Sequence, residues 1–202
     1  SMQDSVKKTN YKIQRISELL SMENGEQYFY TIAESFKSPN KDVENFLKTK
    51  AVQATKLNTA TTYLVYKEIS PIEIDFVDYF SLAMKMLTLK KSSLSCSKER
   101  TISRFGYYDE DSDSYKVPAI LIAQFGRNFD DESASIFGND LMTITLNQVK
   151  TALSYLSGKT VFLECEKEQK LIDFYKEQGF ILLDNEVTSK NSKELLQMYR
   201  LI

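Results

Sequence analysis

Hydrophobic and polar positions fall in short blocks along this chain, and the spacing within each block predicts an element. Tyr11–Leu20 (YKIQRISELL) fits a first strand or a short helix, and pattern alone does not decide. After a turn at Glu23-Asn24-Gly25-Glu26, the aromatic and β-branched run Tyr28–Ala33 predicts a strand or a strand leading into a loop. Ser38-Pro39 has the form of an N-cap with proline at the first helical position. Val43, Phe46, Leu47, Ala51, Ala54 and Leu57 then follow a helical period to about Asn58. Thr61–Tyr66 (TTYLVY) predicts a strand, and Phe76–Leu89 contains another, with Pro71 in the turn between.

The second half is patterned more sharply. Val117–Gly126 (VPAILIAQFG) is an almost unbroken apolar run, as expected of a strand buried on both faces. A polar segment, Arg127–Asp140, leads into a helical stretch. There Met142, Leu146, Val149, Leu153 and Leu156 recur at spacings of four, three, four and three, which puts them on one face. Gly158 suits the left-handed position that ends a helix. Val161–Glu166 predicts a strand, and Glu168–Phe180 a short helix closed by Gly179. Phe180–Leu183 predicts a strand, Asp184–Glu194 a polar turn, and Leu195–Ile202 a final strand. The centre of this half is a βαβ unit with an extra helix, and its crossover is expected to be right-handed. The loop entering Gly138 then lies at the carboxyl end of the first strand. Ligands bind there in α/β sheets, and a helix amino terminus offers N–H groups to an anion.

That order of elements resembles the acetyl-CoA-binding half of the GNAT (GCN5-related) N-acetyltransferases. In that family a strand like PAILIAQFGR precedes a pyrophosphate loop, and a later helix carries a Phe-Tyr-x-x-x-Gly-Phe signature. Phe174-Tyr175-Lys176-Glu177-Gln178-Gly179-Phe180 has the signature intact. With Gly138 as the last loop glycine, the earlier glycine position holds Ile136 and the Gln/Arg position holds Ser133. The early pattern of Phe36, the helix from Asn40 to Leu57 and TTYLVY is similar to the GNAT branch that includes acetyltransferase toxins. The resemblance implies a mixed α/β (α+β) fold: a mostly antiparallel central sheet, one parallel strand pair that splays, flanking helices and an antiparallel terminal hairpin. It implies acetyl-CoA as co-substrate and an amine as acceptor. Main-chain groups of Phe125, Gly126 and Arg127 would pair with the pantetheine arm. The N–H groups of Ala134, Ser135, Ile136, Phe137, Gly138, Asn139 and Asp140 would meet the pyrophosphate, with Phe174 beside the cofactor. Tyr175 would protonate the departing sulfur, since a phenol (about 10) keeps its proton longer than a thiol (about 8.5).

Composition narrows the remaining chemistry. A chain of 202 residues with 42% hydrophobic content favours one globular domain, with Ser1-Met2 read as a tag remnant. The net charge of −2 supplies no general attraction for nucleic acid. There is no histidine, which removes the commonest acid–base group and metal ligand. Two cysteines, Cys96 and Cys165, make no disulfide framework, so free thiols in the cytoplasm are expected. No signal peptide or membrane-length apolar run is visible, and a homodimer is open.

Lys90–Tyr115 reads as a long polar insertion, basic in its first half and acidic in its second, with room for a short helix. Asp109, Asp111 and Asp113 have calcium-loop spacing, but Ser114 and Ile120 stand where glycine and glutamate are needed, so calcium is rejected. Glu164 shares a strand face with Phe162 and Glu166, toward cleft or solvent, and Cys165 alternates with core residues as an inert thiol. The general base has no assigned residue. One variant is a toxin-like enzyme acetylating aminoacyl-tRNA, with Lys90–Arg104 and Lys41–Lys56 supplying phosphate contacts. The glycine-poor loop also motivates a reading of a different class: a GNAT-shaped CoA-binding module without turnover.

Overall fold

The computed structural model describes residues 10–127, 138–188 and 193–202. Its sheet runs in the order β1 (Tyr11–Arg15), β2 (Thr61–Ser70), β3 (Glu73–Lys90), β5 (Ser114–Arg127), β6 (Thr160–Cys165), β8 (Glu194–Leu201), β7 (Ile181–Thr188), with β4 (Tyr107–Asp109) paired to β5. The chain divides into two compact units, one drawn from Ser1–Ser81 and Gln124–Gly138, the other from Leu82–Ala123 and Asn139–Ile202.

The first unit begins with both alternatives open for Tyr11–Leu20: strand β1 (Tyr11–Arg15) runs directly into helix α1 (Ile16–Leu20). Tyr28–Ala33 is a correction, because it lies within helix α2 (Gly25–Glu34) and not in a strand. Aromatic and β-branched content suggested a strand, but Phe29 and Ala33 stand four apart and both are buried. Burial of that face against the core outweighs β propensity. A second correction concerns the next helix start. The cap is Asn40, whose Oδ1 accepts from the N–H groups of Asp42 (3.0 Å) and Val43 (3.4 Å). Ser38 is buried instead, and its N–H donates to Glu44 Oε2 at 3.0 Å. From there α3 (Lys41–Asn45), a π-helical turn (Phe46–Lys50) and α4 (Ala51–Lys56) continue as one path.

Strand β2 (Thr61–Ser70) pairs antiparallel with β1, from Tyr11 opposite Lys67 to Arg15 opposite Tyr63. After the turn at Pro71 comes β3 (Glu73–Lys90), which runs from the first unit into the second. The first unit's core gathers Ile16, Phe29, Phe36, Leu47, Leu64 and Tyr79, all fully enclosed. Each such large side chain contributes about 1.5–3 kcal/mol by leaving water.

In the second unit the polar insertion is structured. It holds a 3-10 turn (Lys91–Ser93), helix α5 (Cys96–Ile102) and strand β4 (Tyr107–Asp109). Ile102 anchors α5 in a core with Leu87, Leu89, Val117, Phe162 and Tyr199. Strand β5 (Ser114–Arg127), whose residues from Gln124 onward belong to the first unit, is followed by helix α6 (Gly138–Leu156) and strand β6 (Thr160–Cys165). Met142, Leu146, Val149 and Leu153 are buried on α6 as their spacing requires. Leu156 is the exception at 62% exposure, because the helix ends there and Ser157 turns left-handed (φ 64°) with Gly158.

Helix α7 (Gln169–Glu177) leads to strands β7 (Ile181–Thr188) and β8 (Glu194–Leu201), an antiparallel pair with a register shift between Leu182 and Glu186. β7 therefore carries through Asp184–Thr188, where a polar turn was expected. The sheet is mixed, with β5 and β6 as a parallel pair and antiparallel neighbours elsewhere among the described registers.

Candidate active site

Strands β5 and β6 are joined over three positions only: Ile120 opposite Val161, Leu121 opposite Phe162, and Ile122 opposite Leu163. Both continue past that point, β6 to Cys165 and β5 to Arg127. β6 is not fraying there, because Glu164 and Cys165 keep antiparallel partners in Gln197 and Leu196 of β8. The ladder between β5 and β6 ends at Ile122 and Leu163. Main-chain groups along the β5-facing side of Glu164 and Cys165 have no ladder partner in β5, which is what a strand-like ligand arm requires.

Tyr175 is set at this end of β6 by the way α7 stops. Gly179 takes φ +83°, a left-handed value that a side chain resists. Its N–H donates to the Lys176 carbonyl at 2.9 Å, and the Phe180 N–H reaches the Tyr175 carbonyl at 3.0 Å. Those two bonds are the Schellman closure, and the Phe180 ring then packs edge-on to Tyr175 with centroids 6.1 Å apart. Phe174 lies edge-on to Tyr175 on its own side, at 5.2 Å, and is half-buried. The Phe-Tyr-x-x-x-Gly-Phe run is thus a locking device for one phenol. Tyr175 is buried, and burial first, then the neighbouring Cys165, pushes its pKa above the ordinary phenol range. The Cys165 thiol is itself buried and pushed up by desolvation. Their interaction puts Tyr175 near the carboxyl end of β6, two residues beyond the last β5 contact at Leu163.

Glu164 is exposed, and its Oε1 accepts from Gln197 Nε2 at 3.3 Å, which gives it the solvent-side reading. At the start of α6, Gly138 is half-buried and Asn139 and Asp140 are exposed. Asn139 Oδ1 accepts from Gln178 Nε2 at 2.9 Å, while the Gln178 carbonyl accepts from Arg200 at 2.6 Å. Asp140 sits in the first turn, where a carboxylate favours the helix but competes with an incoming anion. Ala134, Ser135, Ile136 and Phe137 lie outside the described residues.

Within the first unit, Gly126 has a packing role that the sequence did not disclose. A Cβ placed there would stand 2.3 Å from Val43 Cγ1, 3.1 Å from Tyr79 Cε1 and 3.3 Å from Phe36 Cζ. The Tyr79 hydroxyl donates to the Val43 carbonyl and approaches Gln124 Oε1 at 3.4 Å, so this end of β5 is pinned from one side. Phe125, between them, is half-buried. Tyr79 belonged to a predicted strand, but nothing in its spacing marked it as the residue that fixes Gln124 and Gly126. Among the described residues no cluster of acids and thiols could hold a metal, and no helix is long and apolar enough to cross a membrane.

No protein-family model and no curated protein matches the chain. Solved structures do. AtaT complexed with acetyl-methionyl-tRNAfMet is similar at TM-score 0.60 and 15% identity, over 93% of this chain and 94% of that one. A tyrosine-to-phenylalanine variant of KacT gives TM-score 0.62 at 16% identity, over 93% and 94%. AtaTR bound with acetyl-CoA gives 0.56 at 16%, over 95% and 93%. The chain has the GNAT fold. The parallel pair β5–β6 in a mostly antiparallel sheet is the one that the sequence implied.

Proposed function

We propose that this chain is an acetyl-CoA-dependent N-acetyltransferase that acetylates a primary amine. One observation carries the reading: β6 runs on past its last pairing with β5, at Leu163, to Cys165, which neighbours the locked, protonated Tyr175. Acetyl-CoA would supply the activated acetyl group as a thioester. Main-chain groups of Phe125, Gly126 and Arg127 hold the pantetheine arm, and N–H groups from Ala134 to Asp140 receive the pyrophosphate. The GNAT-fold protein AtaTR has been solved with acetyl-CoA bound, which supports that choice of co-substrate.

Tyr175 holds a proton for the departing sulfur. Burial that raises the phenol also raises the basicity of a thiolate formed beside it, so the gap the proton must cross between them is not widened by burial alone. Phe174 and Phe180 keep the phenol in place and water away. With no histidine in the chain, the amine loses its proton to water or to a carboxylate, and we assign no residue to that step.

For the acceptor, the amino group of an aminoacyl-tRNA is the first to test, because AtaT has been solved with acetyl-methionyl-tRNAfMet. Release of free thiol from acetyl-CoA, measured over a panel of small amines, peptides and charged tRNAs, tests the activity. We expect Tyr175→Phe to lower kcat about a hundredfold or more while leaving acetyl-CoA affinity within a fewfold. Tight binding of acetyl-CoA with no thiol release on any amine would favour the CoA-binding module instead.

A further inference from the structure

From Leu82 to Lys98 the chain carries four lysines (Lys85, Lys90, Lys91 and Lys98) and no acid, in a protein of net charge −2. The first part of this window is the carboxyl half of β3, in the second unit. Two contacts fix its register against β5. The Lys91 N–H donates to the Asp113 carbonyl at 3.0 Å, and Lys116 Nζ donates to Thr88 Oγ1 at 3.1 Å. Main-chain groups alternate in direction along a strand. Ala83, Lys85, Leu87 and Leu89, in step with Lys91, turn theirs toward β5, and Met84, Met86, Thr88 and Lys90 turn theirs away.

On that other side β2 runs out. It begins at Thr61, and Thr62 Oγ1 meets Ser81 Oγ at 2.7 Å. From Ala83 onward, β5 is the one strand neighbour of β3 among the described residues. The same segment is open on its faces, with Met84 at 52% and Met86 at 53% exposure and Lys85 exposed between them. A lysine on an edge strand ordinarily guards against unwanted pairing. Two exposed methionines flanking it do the opposite, offering adaptable apolar contacts to whatever pairs there.

We propose that this edge receives one extended segment of a partner protein as an added strand, with apolar and acidic side chains alternating. The segment's main chain meets the outward groups of Met84, Met86 and Lys90. Its apolar side chains lie beside Met84 and Met86, and its carboxylates on the opposite face beside Lys85. A second copy of this chain fits less well. It would set an edge whose only charges are lysines, Lys85 and Lys90, against itself. The edge has this capacity whether or not the chain turns over acetyl-CoA.

The test uses the full chain and a synthetic peptide of alternating valine and glutamate matched in length to Leu82–Lys90. A valine–lysine peptide serves as the control. Fluorescence anisotropy should show binding of the acidic peptide and at least about tenfold weaker binding of the basic one. Lys85→Glu should reverse that preference. Met86→Pro removes one outward N–H without touching the bonds to β5, and should weaken binding about fivefold. Should that variant not fold, amide hydrogen exchange on the native chain decides: the peptide should protect Met84 and Met86. Equal affinity for both peptides, protection elsewhere, or undiminished binding by a folded Met86→Pro would overturn the proposal. So would a dimer in sedimentation that Met86→Pro abolishes, since the edge would then belong to a second copy.

Discussion

Gly126 shows how one absent methyl group can decide a local structure. The space its Cβ would need is held by Val43, Tyr79 and Phe36. Gly126→Ala is therefore expected to destabilise the protein by about 1–3 kcal/mol, the ordinary cost of overpacking. Adding Val43→Ala removes the nearest obstructing carbon and should recover part of that loss, and urea denaturation of both variants checks it. A second residue-scale expectation follows from buried phenols. Tyr175, Tyr79 and Tyr66 are all raised by burial, Tyr66 to about 12, while unfolded tyrosine ionises near about 10. Above that pH the unfolded chain releases protons that the folded chain retains. Their contribution to stability is thus complete below about pH 10 and lost as pH climbs through the folded values. The urea midpoint should be insensitive to these groups at neutral pH and fall on the alkaline side. A midpoint unchanged at about pH 11 would show that these phenols ionise no later in the fold than in the open chain.

At the scale of the element, α7 carries the sharpest expectation. Gly179→Ala puts a side chain at φ +83° and should cost about 1–2 kcal/mol, weakening the closure that holds the Tyr175 carbonyl. Its effect on turnover should appear in kcat more than in KM, because the phenol's position and not cofactor binding is disturbed. This helix was fully legible in the sequence, since glycine and phenylalanine at its end have few other uses together. The run Val117–Gly126 and the helix face from Met142 to Leu153 were legible because burial leaves its mark on a sequence, as an unbroken apolar run in the strand and as a period in the helix. Tyr28–Ala33 was not, because aromatic and β-branched residues suit a strand until their four-residue spacing meets a core. The cap at Asn40 was hidden by Ser38-Pro39, a pair with the right form two residues too early. What fixes the end of β5 comes from Tyr79 and Val43, distant in sequence, and no local pattern could announce it.

For the whole molecule, the missing histidines remove every side chain whose unperturbed pKa falls between about 5 and 8. An activity profile that bends in that range should then report the acceptor's amine, and should move when one acceptor is exchanged for another of different basicity. Acetyl-CoA at about a hundred times its Kd should add about 2.7 kcal/mol to the unfolding free energy, visible as a rise in Tm. The two cysteines extend this from equilibrium to rates. Cys96 is exposed, whereas Cys165 is buried beside the phenol with its thiol pushed up. A thiol-labelling reagent would therefore run two clocks in one tube: a fast one at Cys96 that registers only reagent, and a slow one at Cys165 that ticks each time its surroundings open. Acetyl-CoA should stop the second clock and leave the first running, reporting occupancy beside Tyr175 in a sample with no acceptor and no turnover.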